Sequence, residues 1–457
     1  MSAASKVSHL NAPDNDDNKE STMLNAAAKP LVKLVDRYLP DPYIFVLLLS
    51  IIVFAAAVLL EQQSPLQVLQ YWGHGFWGLL TFSMQMLLVL VTGFMLASTP
   101  LITGLLHRLA ILAKSSGQAI VLVTVVSLMA SWLNWGFGLV VGALFAKALA
   151  RQLKVDYRLL VASAYSGFIV WHGGLAGSIP LLIATPGHFS EAQIGIIPTT
   201  DTIFASFNLL LVALLFLAIP LVNYLMQPKA ADSVYVDPAK LQNDVLPQNR
   251  NDRPADKLEN SLLLAWLVGF AGLAYLLQYF TGGGGLNLNI VNFLFLFLAI
   301  VLHGTPSRLL HSLQQAIQGG AGIVIQFPFY AGIMAIMVQS GLAQSMSQWF
   351  VSFATAETLA FWSFISAGIV NIFVPSGGGQ WAVQAPIMLP AALELGADIN
   401  RIAMAVAWGD AWTNLIQPFW ALPVLAIAGL KAKDIMGFCL LQLVITGVII
   451  SLVLSFA

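Results

Sequence analysis

Residues 374–386 read VPSGGGQWAVQAP: a serine, three glycines and a glutamine, fenced by Pro375 and Pro386. The chain around them is greasy. Of 457 residues, 58% are hydrophobic and 9% charged, with a mean hydropathy of +0.81. Soluble domains carry about 25% charged residues. None of the 20 Lys and Arg falls in 38–107, 159–228, 258–307, 309–400 or 402–430. Stretches that long accommodate membrane helices of about 20 apolar residues each. In a bilayer, an unpaired backbone group costs several kcal/mol. A glycine run at that depth survives only when buried in protein or lining a solvated cavity. The stretch therefore points to an all-α polytopic membrane protein whose helices are broken inside the membrane.

Composition also excludes function classes. The net charge is −1 and no basic run with interleaved aromatics occurs, so no nucleic-acid partner is expected. A single cysteine, Cys439, leaves neither a disulfide nor a thiolate metal site. The patterns GxxxxGK[ST], HExxH and GxSxG are missing, which argues against an ATP-driven pump or a membrane protease. GGGG at 282–285 follows no strand and is no phosphate cradle. Residues 1–28 are expected to be a disordered cytoplasmic tail. No apolar signal-peptide core precedes residue 31. An amphipathic interfacial stretch with Lys29, Lys33 and Arg37 follows.

Apolar spans are expected near 42–60, 76–98, 202–226, 260–279, 287–304, 319–341 and 435–456. The segments 117–150, 159–185, 356–393 and 402–428 are apolar but interrupted by Gly, Pro and polar residues. A polar loop at 227–259 divides the chain. The halves match at a constant offset of 243: Gly136 meets Gly379, Ala148 meets Ala391, Arg158 meets Arg401, and Pro180 meets Pro423. SWLNWGFG (131–138) then falls opposite VPSGGGQW (374–381). The expected organisation is a first inverted repeat at 29–226, with hairpin 117–150 and broken helix 159–185. A linking helix at 260–280 leads to a second repeat at 281–457, with hairpin 356–393 and broken helix 402–428. The odd linker inverts the second repeat. With the N-terminus cytoplasmic, 19 of the 20 cations fall inside, all but Arg401, and the C-terminus is predicted periplasmic.

Four irregular stretches would meet near the membrane midplane: the two hairpin tips, WHGGLAGS (171–178) and WGDAWTNLIQP (408–418). Broken helices offer positive N-termini to an anion and carbonyls to a cation. That suits a carrier of a small anion coupled to a cation. Substrate contacts are expected from Asn134, Trp135, Gly136, His172, Ser376, Gly377, Gly378, Gly379, Gln380, Thr413 and Asn414. The glycines are expected to free backbone φ so that N–H groups close around a ligand. Asp410 is the one acid inside a predicted span and is expected to handle the cation, with Asn134, Gly173, Ser376 and Asn414 beside it. Each has a plainer alternative. Asp410 could be a paired structural carboxyl, His172 could cap a carbonyl, and the amides and hydroxyls could merely satisfy helix breaks. Arg158 and Arg401 could attract anions at the mouths or anchor helices by snorkelling.

The strings NIFVPSGGGQWAVQAPIMLPAA, WLNWGFGLVVGALFAKALAR and AWGDAWTNLIQPFWALPVLAIAGL closely resemble the short-chain fatty acid transporter family, which includes acetoacetate and butyrate permeases. The likeness runs from about Val32 to the C-terminus. More distantly, PSGGGQ is similar to the PSGSGQ turn of ion-transporter superfamily relatives. The resemblance implies inverted repeats with re-entrant hairpins, a homodimer with elevator-like motion, and residence in the bacterial inner membrane. It also implies uptake of small monocarboxylates with H⁺ or Na⁺, and no other cofactor. Sodium-coupled relatives carry Ser-Asn-Thr at the tips. Here only Asn134 and Ser376 carry over, and they mark where a Na⁺ would sit. A carrier of another organic anion or an amino acid, and an anion channel, are the alternatives.

Overall fold

The computed structural model describes residues 42–241 and 253–456. The expected tail at 1–28, the interfacial stretch through Arg37 and residues 242–252 of the dividing loop lie outside the described residues. Within them the chain is helical, without strands. Helices α1 (Pro42–Leu59), α2 (Pro65–Gly75), α3 (Leu80–Ala97) and α4 (Pro100–Ala110) come first. A helix pair follows, α5 (Ser116–Leu133) and α6 (Trp135–Gln152). α7 (Tyr157–Ser166) runs into a 3₁₀ turn at Gly167–Val170, an irregular stretch, and the short α8 (Ser178–Ile183). After α9 (Glu191–Ile194) and α10 (Ser206–Leu225), the link is formed by α11 (Pro254–Glu259) and α12 (Leu262–Thr281). Then come α13 (Leu288–His303), α14 (Pro306–Gln318), α15 (Ala321–Ser340) and α16 (Leu342–Phe353). A second pair, α17 (Leu359–Phe373) and α18 (Gly377–Leu395), precedes α19 (Ile399–Asn414), α20 (Pro418–Ala428) and α21 (Ala432–Phe456).

Among the described residues, six helical stretches are long and apolar enough to cross a membrane: α3, α5, α10, Pro254–Thr281, α15 and α21. The linking stretch is the least enclosed, with 22% of its apolar window buried, whereas α3 reaches 61%. α12 therefore presents most of its side chains to lipid, and the inner helices carry the packing.

Start signals recur at similar intervals along both halves. Ser64 and Thr305 each cap a helix whose first residue is proline, a position that needs no N–H. Asn134 caps α6 and Ser376 caps α18. Asp156 caps α7 and Asp398 caps α19. α5 and α17 begin 243 residues apart, at Ser116 and Leu359. Arg158 and Arg401 are engaged with the protein itself. Arg158 pairs with Asp156 at 2.8 Å, and Arg401 donates to the carbonyls of Val453 and Leu454.

In the segment between α8 and α10, His188 is buried, with Nε2 3.0 Å from the Gly195 carbonyl oxygen. Burial holds its pKa below the ordinary histidine value, while the Gly195 carbonyl and Glu191 pull it up. The folded state thus binds a proton less readily than the unfolded chain. The stability involved is complete above the ordinary value, near pH 6.5, and is lost as pH falls below it. The melting temperature should drop on acidification through that window, and His188→Gln should flatten the drop. Equal slopes in both proteins would exclude His188 as the cause.

Candidate substrate and coupling site

The two tips are tighter than their sequences suggest. At SWLNWGFG only Asn134 leaves helical conformation, serving as the last cap of α5 and the first of α6. At VPSGGGQW the break is Val374–Ser376, and the three glycines form the first turn of α18. None of the three has positive φ, so conformational freedom is not what they supply. They supply room. A Cβ at Gly377 would lie 2.5 Å from Cε1 of His172 and 2.9 Å from Trp171. One at Gly378 would strike Phe82, and one at Gly379 would come within 2.5 Å of Tyr330.

Three of the four irregular stretches reach a single cavity of about 470 Å³; the fourth, 408–418, lines none of it, and its place is taken by α20 just beyond. Trp135 and Gly136 come from the first tip and Ser376, Gly377 and Gly378 from the second. Trp171 and Ser178 come from the first broken helix, and Trp420 and Pro423 from the second. The aromatic wall is mutually packed. Trp135 meets Trp420 edge-on at 5.5 Å, and Phe168 stacks on Trp171 at 5.5 Å. The size lies within the usual range for small-ligand pockets, about 300–1,000 Å³.

Two long helices start at this cavity. In α6, the Phe137 N–H goes to Asn134 Oδ1 and the Gly138 N–H to the Asn134 carbonyl. In α18, the Gly379 N–H goes to Ser376 Oγ and the Gln380 N–H to the Ser376 carbonyl. The N–H groups of Trp135, Gly136, Gly377 and Gly378 have no acceptor inside their helices, as at every helix start. These are the donors, backed by two helix dipoles, that favour an anion. The two oxygens to which the resemblance assigns a sodium ion, Asn134 Oδ1 and Ser376 Oγ, each already accept a helix N–H.

Behind the second tip lies a fully buried histidine–aspartate pair. His172 Nδ1 is 3.2 Å from Asp410 Oδ2, and both side chains are wholly enclosed. His172 Nε2 accepts the Ile179 N–H, so the mobile ring proton belongs on Nδ1, facing the carboxylate. The approach falls short of an aligned hydrogen bond, and Asp410 Oδ1 has no partner. Asn371 of α17 ties the surroundings together, donating to the Asp410 carbonyl (2.9 Å), Thr413 Oγ1 (2.8 Å) and Asn414 Oδ1 (2.7 Å). Gly173 stands against Trp408, whose indole N–H donates to Asn208, and Asn208 in turn donates to the Gly173 carbonyl.

Of the residues expected at the site, Trp135, Gly136, Ser376, Gly377 and Gly378 line the cavity. Asn134, His172, Gly173, Gly379, Asp410, Thr413 and Asn414 do not line it. Gln380 turns away, donating to the Ala367 carbonyl and to Gln384 Oε1 along the seam with α17.

A sequence profile described as short chain fatty acid transporter matches residues 23–457. A protein of Escherichia coli (strain K12) is 43% identical over 432 residues, 93% of this chain and 98% of its own length. The chain belongs to the short-chain fatty acid transporter family. A relative from Haemophilus influenzae is 42% identical over 446 residues, 95% of this chain and 100% of its own. Both relatives are named for short-chain fatty acid transport as a provisional assignment. Among solved structures, the YdaH transporter of Alcanivorax borkumensis superposes with a TM-score of 0.59 at 18% identity, covering 92% of this chain and 99% of its own. Its description reports an unusual topology, and the likeness is one of fold.

Four residues of this transporter escaped the sequence reading. Asn208 and Asn371 are lone amides in apolar helices, which is the one signal that marks them. Ser178, 3% exposed on the cavity wall, was hidden in a Gly-rich run. Gln326, two residues before Pro328 in an otherwise apolar span, is the fourth.

Proposed function

We propose that this membrane transporter is a secondary carrier that imports short-chain monocarboxylates such as acetoacetate and butyrate, driven by a proton gradient. The carboxylate sits between the starts of α6 and α18, within reach of the Ser178 and Ser376 hydroxyls. The short tail lies against Trp135, Trp171 and Trp420. One observation carries this reading: two helix N-termini with unused donors open on one aromatic-walled cavity. A substrate with one charge and a short apolar body matches it.

The cation assigned to coupling is a proton on the His172–Asp410 pair, which lies directly behind Gly377. Closure of the second tip over substrate presses on His172, which would link binding to protonation. Alternating access by elevator-like motion of two inverted repeats fits the recurrence of helix starts at intervals of 241 to 243 residues. A homodimer in the bacterial inner membrane, with N-terminus cytoplasmic and C-terminus periplasmic, completes the proposal.

The test is uptake of labelled butyrate and acetoacetate into proteoliposomes under imposed gradients. An inward proton gradient should drive accumulation and a Na⁺ gradient should not. Accumulation under Na⁺ alone would contradict the proton assignment. Non-saturating flux without accumulation would indicate a channel.

A further inference from the structure

The cavity wall carries one polar side chain that an alkyl acid leaves unanswered. Gln315 and Gln318 of α14 also line the cavity but are exposed. Gln326 of α15 is only 4% exposed and sits in the wall beside Ile323 and Phe327. One turn further on, the Tyr330 hydroxyl donates to Gln326 Oε1 at 3.3 Å. Tyr330 is fully buried, and this carbonyl is the acceptor its hydroxyl has. That contact occupies Oε1 and leaves the Nε2 donors of this cavity-lining residue without a protein acceptor among the described residues.

The placement relative to the carboxylate site is close. Tyr330 packs against Gly379, and Phe327 lies 3.5 Å from the Cβ position of Gly378. Gln326 thus lines the same cavity as the first turn of α18. A short ligand whose carboxylate is held there runs its chain through the space that this amide borders. A buried donor left unpaired is penalised, whereas a ligand oxygen satisfies it. Sites built around such a donor discriminate strongly against analogues lacking the matching oxygen.

We infer that Gln326 is a specificity-determining residue favouring short monocarboxylates that carry an acceptor oxygen on the chain, such as 3-oxo and 3-hydroxy acids, over plain alkyl acids. This rests on the proposed carboxylate site and adds a second recognition point to it. Tyr330 is a positioning residue, acting through the orientation of the amide.

The experiment compares kcat/KM for 3-oxobutyrate, 3-hydroxybutyrate and butyrate in proteoliposomes containing the full chain. Wild type should prefer the oxygenated acids by roughly tenfold or more, the scale set by one unpaired buried donor. Gln326→Leu should bring that ratio close to one. Tyr330→Phe should lower the ratio in the same direction by freeing the amide to rotate. If Gln326→Leu fails to insert, Gln326→Met supplies the same loss of donors in an unbranched chain of similar length. An unchanged ratio in the Gln326 variant, or wild type preferring butyrate, overturns the inference and leaves the carrier reading standing. Uptake of none of the three acids by wild type overturns the carrier reading itself.

Discussion

Asp410→Asn should abolish gradient-driven accumulation while leaving downhill exchange of labelled substrate measurable. The substitution keeps the size of the side chain and an oxygen for the Asn414 contact. It removes the carboxyl to which the proposal assigns the coupling proton. The carboxyl is completely enclosed, and His172 is its one ionisable neighbour within contact distance among the described residues. A charge so placed is costly and is retained for function. Under an imposed proton gradient, the internal concentration in the variant should level off at the external one. The measurement is internal label at steady state, with and without the gradient. Accumulation equal to wild type would show that the proton moves elsewhere and that Asp410 is structural. His172→Asn, which keeps an amide near Nδ1, should weaken accumulation in the same assay.

Gly377→Ala should reduce uptake by roughly tenfold or more, because overpacking of a filled site costs about 1–3 kcal/mol. The added methyl would fall 2.5 Å from Cε1 and 2.9 Å from Nε2 of His172. That ring cannot retreat cheaply. It lies against Asp410, accepts the Ile179 N–H, and stacks on Trp171 with centroids 3.9 Å apart. Either the α18 start withdraws from the cavity or His172 shifts from its carboxylate. The first change raises KM and the second uncouples transport. Gly73→Ala is the control, since a Cβ there meets nothing within 4 Å. Comparable uptake in Gly377→Ala and Gly73→Ala would remove the second tip from the site.

Much of the architecture could be read from residue types alone. Asn134 and Ser376 are strong helix caps, and each sits where an apolar run must stop and restart. Pro306 and Pro65, each behind a Ser or Thr cap, mark short helices in the same way. Glycine, however, is ambiguous in sequence. VPSGGGQW reads as a loop because glycine tolerates any φ, yet these glycines are helical and are needed for the closeness of His172, Phe82 and Tyr330. Packing partners about 50 to 300 residues away decide that, and no local pattern encodes them. The same limit hid Gln326, Asn208 and Asn371, whose importance lies in what other helices bring to them. Gln380 illustrates the converse. It stands beside the tip in sequence, but Gln384 one turn later shares its face, and both turn to α17.

Asp410 was legible because an acid in a greasy span has few innocent explanations. Its pairing with His172, 238 positions earlier, was not. The two stretches were expected to meet as corresponding breaks in the two halves. The stacking of Trp171 on His172 and the capping of Ile179 are local, whereas the 3.2 Å approach to Asp410 depends on how α19 packs beside that break.

The most direct measurement is ligand-induced thermal stabilisation of the purified protein by butyrate and by butyramide, its neutral counterpart of nearly the same shape. Binding at two helix N-termini requires the negative charge. Butyrate should therefore raise the melting temperature in a concentration-dependent way, as expected for a ligand that binds only the folded state. Butyramide should leave it unchanged, and Gly377→Ala should diminish the butyrate response. Equal stabilisation by the acid and the amide, or a butyrate response undiminished in Gly377→Ala, would contradict a carboxylate held between the starts of α6 and α18.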